Sequence, residues 1–145
     1  MNDFIQRLPT DVILQIIPYT YHLQNIHLLY DIRNYTESKT KLFQLYHKYW
    51  IIETQSHDSN EDIYWLLNDI FAYTNSYYAS MYGYVDRFYN IFQRNIFLRT
   101  KDDIDKYVCN LEKKNISSQI NVLLGLLTIN ERRDIISATF SDTYV

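Results

Sequence analysis

The chain has 145 residues, 47% hydrophobic and 21% charged, with a formal net charge of −3. That length supports one domain with a buried core, and the composition is too apolar for wholesale disorder. The acidic balance separates the surface as a whole from nucleic-acid binders, which are normally basic. The single cysteine, Cys109, excludes an internal disulfide, and no apolar run reaches the ~18 residues of a membrane span. No leader pattern opens the sequence, so a reducing compartment and a chain that is not secreted are expected.

Only 2 Gly and 2 Pro are present against 15 Tyr, with abundant Ile and Asn. These enriched residues are those of AT-rich codons, and the scarcity of Gly and Pro suits helices joined by short polar connections. In chain order, Pro9 stands ahead of a helix starting at Thr10 or Asp11, whose face carries Val12, Ile13, Ile16 and Ile17. Pro18 stops or kinks it. A second helix fits residues 24–34, with Ile26, Leu29, Tyr30 and Ile32 inward. A third fits residues 36–50, capped by Thr36, with Leu42, Phe43, Leu45, Tyr46 and Tyr49 on its apolar side.

The polar stretch 53–62, ETQSHDSNED, is the one internal connection, and Asn60 is placed to cap a helix carrying Ile63, Leu66, Leu67 and Ile70. A further stripe, Tyr77, Met81, Val85, Phe88, Phe92 and Ile96, predicts another helix. The break before it falls at residues 74–76, with Ser76 as cap, or at Gly83. Thr100 with Asp103 makes a capping-box variant ahead of Ile104, Tyr107, Val108 and Leu111. Ser117 or Ser118 opens a central helix with Ile120, Leu123, Leu124 and Leu127, in which Gly125 predicts a close helix contact. Asn130 is expected to cap a last helix bearing Ile135, Ile136 and Phe140. No strand alternation occurs. The expected fold is all-α, with about six to eight helices: a three-helix module over 1–52, a connection over 53–60 and a helical bundle over 61–145, packed as one unit.

Chemistry is hard to find. His22 and His27 are five residues apart, about 140° around a helix, and His47 and His57 lack partners at a ligand spacing, so no metal site is expected. With Gly83 and Gly125 alone, neither a phosphate-binding loop nor a nucleophile elbow can form. Cys109 reads as an inert thiol beside a core face. The acidic pairs Glu61–Asp62 and Asp102–Asp103 suit the first turn of a helix, where negative charge is favoured. No catalytic residue, metal or cofactor is therefore assigned, and a non-enzymatic binding or structural role is expected. Arg87 and Arg94 share a helical face and form a candidate anion contact, although a solvated face is the simpler reading and nucleic acid is not an expected partner. The tyrosines of residues 73–89 are too many to face inward together. Tyr78, Tyr82 and Tyr89 form a candidate interface for a protein partner or for a second copy of the chain.

The segment LPTDVILQII, residues 8–17, resembles the opening of an F-box, and IHLLYDIRNY roughly fills the place of that module's second helix. Trp50 stands later than the tryptophan of most members. Residues 8–50 look closer to a divergent F-box-like segment found in uncharacterised proteins of large nucleocytoplasmic DNA (giant) viruses. The resemblance implies a face of Leu8, Pro9, Val12, Ile13, Ile16 and Ile17 that docks on the linker subunit of cullin-type ubiquitin ligases. It also implies a location in the host cytoplasm, the viral factory or the virion. Two expectations result: an F-box-like adaptor, or an assembly protein and minor virion component held by tyrosine-rich and apolar interfaces.

Overall fold

A computed structural model describes residues 9–12, 14–15 and 25–143. Residues 10–12 and 14–15 are helical, as the Pro9 start signal predicts; Pro18 and the residues around it lie outside the described part. Helix α1 then runs unbroken over Ile26–His47 and passes directly into a π-helical segment, Lys48–Glu53. The two helices expected over 24–34 and 36–50 are thus one. The polar residues that suggest a boundary are absorbed within the helix. The Thr36 hydroxyl donates back to the Ile32 carbonyl at 3.2 Å, and the Ser38 hydroxyl donates to Asn34 Oδ1 at 3.3 Å.

Helix α2 spans Glu61–Thr74, with Glu61 and Asp62 in its first turn as expected. Asn60 occupies the capping position without a side-chain cap bond. The chain stops being helical at residues 74–76, the break the polar TNS triplet predicts, but no new helix starts there. A Schellman closure ends α2 instead: the Tyr77 N–H donates to the Ala72 carbonyl and the Ser76 N–H to the Tyr73 carbonyl. Residues 78–85 form a loop with a single 3-10 turn at Ser80–Tyr82, and α3 is only Asp86–Phe92. The apolar stripe read across 77–96 is therefore not one face. Phe88 and Phe92 are buried, whereas Tyr77, Met81 and Ile96 are exposed.

Helix α4, Lys101–Leu111, carries both halves of the Thr100–Asp103 capping box. Helix α5, Ile116–Leu126, is capped by Asn115, whose Oδ1 accepts the Ser118 N–H, rather than by Ser117 or Ser118. Helix α6, Ile129–Thr143, starts before Asn130. Its first turn is closed by a Thr128–Glu131 box, with the Thr128 N–H donating to Glu131 and the Glu131 N–H to the Thr128 hydroxyl. Gly125 has open space where a Cβ would stand, so it admits no close helix contact. Cys109 is exposed, not buried, because it lies one 100° step past the core residue Val108.

The fold is all-α, with no strand among the described residues. Its contacts separate residues 1–30 from 31–145, a division inside α1 and not at the polar connection. Within 31–145, α2 packs most extensively on α5 and also on the π segment and α3. The core joins Leu42 and Tyr46 of α1 to Leu66, Ile70, Phe88, Phe92, Ile104, Ile120, Leu123 and Ile135. Residues 31–52 thus share a core with the C-terminal bundle. One buried cation ties the helices together. Arg132, 1% exposed, donates from Nε to the Leu124 carbonyl at 2.9 Å and from Nη1 to Asp31 Oδ1 at 2.7 Å and Asn34 Oδ1 at 3.2 Å.

Candidate interaction surface

The loop after α2 is built around one buried side chain. Asn75 donates from Nδ2 to the carbonyls of Tyr78 (2.9 Å) and Gly83 (3.3 Å), and its Oδ1 accepts the Val85 N–H at 2.9 Å. Three backbone groups that a loop would leave to water are satisfied by an amide that is itself 3% exposed. The backbone enters this loop through two residues in the left-handed region, Ser76 (φ 52°) and Tyr77 (φ 62°). For a bulky L-residue that conformation costs about 1–2 kcal/mol, so the surrounding contacts must hold it in place. Gly83, at φ 97°, supplies the turn out of the 3-10 segment at no steric cost.

The loop presents apolar surface to solvent. Tyr77, Tyr78, Met81 and Tyr82 are 66–87% exposed. A groove of about 720 Å³ adjoins this loop and α2, and Leu67, Phe71, Glu112 and Gln119 are among the residues that line it. Fixed tyrosines beside a groove suit protein recognition, since each ring buries large area with little rotamer entropy to lose.

The other expected site residues are distributed differently. Tyr89 does not join Tyr78 and Tyr82. It is half-buried on α3, its hydroxyl donates to Asp105 Oδ1 at 2.8 Å, and the Lys101 ammonium lies 5.1 Å from its ring centre. Burial and the Asp105 carboxylate raise its phenol pKa above the ordinary value. The two arginines are engaged within the fold instead of forming a free anion contact. Arg87 lies 4.3 Å over the Tyr73 ring, and Arg94 makes a bidentate pair with Glu131 at 2.7 and 2.8 Å while also donating to the Leu126 carbonyl. Seven-residue spacing places them on one face, but partners distant in sequence take up their charge.

Of the F-box-like face, Pro9 is exposed and Val12 half-buried; Leu8, Ile13, Ile16 and Ile17 lie outside the described residues. Among the described residues, no group of three or more His, Cys, Asp or Glu side chains could hold a metal ion, and no helix is long and apolar enough to cross a membrane. Sequence reasoning missed Asn75, whose three partners lie 3 to 10 residues ahead. The available signal was an Asn at the end of an apolar helix with a glycine-containing polar stretch after it. No family model, no curated protein and no solved structure matches the chain.

Proposed function

We propose that this chain is a non-enzymatic protein–protein interaction module whose binding surface is the Tyr77–Tyr82 loop with its adjoining groove. The observation that carries this reading is the Asn75 clamp, which holds two strained residues so that three tyrosines and a methionine stand outward in one fixed arrangement. Preorganised aromatic side chains reduce the ordering cost of association, and strain retained in a backbone suggests use.

Of the two specialised forms, an assembly role draws on this loop directly, since a repeated tyrosine-rich contact needs such a face. Packaging in a virus particle is the finer form of that role. The F-box-like adaptor form uses the separate face at residues 8–17 and is supported by the resemblance of that segment. The test is a Tyr78→Ser, Met81→Ser, Tyr82→Ser variant, compared with the parent by thermal melt, by light scattering across concentration and by cross-linking capture from cells producing the protein. The expected result is an unchanged melt with loss of self-association or of the captured partner. A variant that keeps every association of the parent overturns the loop reading. Recovery of a cullin-ligase linker subunit that is lost on Val12→Asp, and not on the loop substitutions, would favour the adaptor.

A further inference from the structure

Among the described residues that line the groove beside the Tyr77–Tyr82 loop, Glu112 alone carries a charge. It is the C-cap residue of α4, a position where the helix dipole disfavours an acid. Its carboxylate is exposed and makes no ion pair among the described residues. The fold therefore gains little from an acid at this place. The remaining lining is neutral and largely apolar, with Leu67, Phe71, Met81 and Tyr84 contributing. Tyr84 is fixed by stacking on the buried Phe88 ring, with centroids 3.9 Å apart and planes at 6°. A partner suited to this groove has an apolar ridge and one cation.

The same chain carries such a ridge. Ile26, Leu29, Tyr30 and Arg33 of α1 are all exposed, and their i, i+3, i+4, i+7 spacing puts them on one side of that helix. This is the spacing with which an amphipathic helix enters an apolar groove. Exposed apolar side chains gathered on one helix face mark a surface for association. Arg33 makes no ion pair among the described residues, whereas its neighbour Asp31 is held by Arg132 at 2.7 Å. An apolar ridge followed by a base thus matches an apolar groove with an acid on its wall. The next charges are opposite as well. Glu37 stands one turn beyond Arg33, Lys113 follows Glu112, and both are exposed.

We propose that the groove takes the start of α1 from a second copy of the chain, with Ile26, Leu29 and Tyr30 on its apolar lining and Arg33 paired with Glu112. This names the occupant of the binding surface proposed above and rests on that reading. The two surfaces differ, so the contact is heterologous. Each copy offers one helix and one groove, and copies join as a reciprocal pair, a ring or a filament. Two turns of helix cover less than the ~1,600 Å² of a standard interface, so association is expected to be weak, at micromolar concentrations and above.

The test follows the mass of the full-length chain by sedimentation velocity from about 5 μM to about 500 μM, with thermal melts as the check on folding. The parent is expected to gain mass with concentration and to lose part of that gain in about 0.5 M salt. An Ile26→Asp, Leu29→Asp variant alters exposed positions and removes the ridge. The Tyr78→Ser, Met81→Ser, Tyr82→Ser variant removes the groove wall. Each is expected to melt as the parent does and to remain a single copy. Mixed in equal amounts, they retain one intact groove and one intact ridge, and a one-to-one pair with nothing larger is expected. Arg33→Glu is expected to weaken association about tenfold, and adding Glu112→Arg to the same chain to recover most of the loss. A parent that stays a single copy across the range overturns the proposal. So does a ridge variant that associates as the parent does, a mixture that forms no pair, or a charge swap that recovers nothing. Loss of association in the loop variant alone, with the ridge variant unaffected, overturns the docking of α1 and leaves the groove as the binding surface. A loop variant that keeps every association of the parent overturns both.

Discussion

Arg132 and Asn75 are the two polar side chains on which most of the chain's geometry turns. Arg132 is fully enclosed, and its guanidinium is shared among a carbonyl of α5, a carboxylate of α1 and the ring of Tyr35, whose centre lies 5.5 Å away. Arg132→Leu should cost about 2–4 kcal/mol in urea unfolding, somewhat below a fully buried pair because Asp31 can turn to water. Arg132→Lys should recover only part of that, since a single ammonium cannot reproduce the fork. Asn75→Ala leaves three backbone groups without their partner and should cost about 2–3 kcal/mol, with faster amide exchange confined to residues 76–85. Much of the apolar core was legible in the sequence: Leu42, Leu66, Ile70, Ile104, Val108, Leu111 and Leu123 are all buried where helical spacing places them, whereas Ile26, Leu29, Tyr30 and Ile32, expected inward, are exposed. The buried polar residues were not. Arg132 sits in a run, NERRD, that reads as solvated, and its partners lie about a hundred residues away.

At the level of single elements, the ends of the helices decide more than their middles. The sequence points to Asn130 as the cap of α6, yet the Thr128–Glu131 box closes that helix; Glu131 is favoured by Arg94, which no local pattern reveals. The Arg94 guanidinium, with smaller help from the Thr128 N–H, pulls the Glu131 carboxyl from 4.5 to about 2. Because the folded pKa is depressed, this stabilisation is in place above the ordinary 4.5 and is lost as pH falls from there through about 2. Allowing for partial solvent screening, the parent should lose about 1–2 kcal/mol more than Glu131→Gln between about pH 5 and pH 2, as read from urea midpoints. The end of α2 offers the opposite case. Ser76 occupies the Schellman position that normally takes glycine, so Ser76→Gly should raise stability by about 0.5–1 kcal/mol while leaving the loop in place. The merging of two expected helices into α1 has a similar origin: Thr36 looks like a cap in isolation and is satisfied inside a continuous helix.

Across the whole molecule, stability should be graded along the chain. Helices α2 and α5 share the most extensive contact and carry Leu66, Ile70, Ile120, Leu123 and Leu124, each 0% exposed. By contrast Ile26, Leu28, Leu29 and Tyr30 are exposed on the first turns of α1. Native-state hydrogen exchange should find amides of α2 and α5 opening only with global unfolding, and those of residues 26–30 opening at a free energy lower by about 2 kcal/mol or more. The all-α class came from the scarcity of glycine and proline together with the periodicity, both averages over many residues. The loop at 75–85 did not, because its apolar residues keep a helical spacing that the end of α2 overrides.

The π-helical turn at Lys48–Glu53 carries one more consequence. Its i→i+5 bond, from the Thr54 N–H to the Tyr49 carbonyl at 3.1 Å, accommodates one residue more than a regular turn would. Ile52 is exposed there at 61% and contributes nothing to the buried core. Deleting Ile52 should let the turn close to ordinary α geometry without disturbing Leu42 or Tyr46, and the chain should still fold. Because the wider turn absorbs the extra residue, the chain would leave the shortened helix in nearly its present direction. The junction is therefore a place where the chain tolerates a single-codon loss, with the connection to α2 and the core both left as they stand.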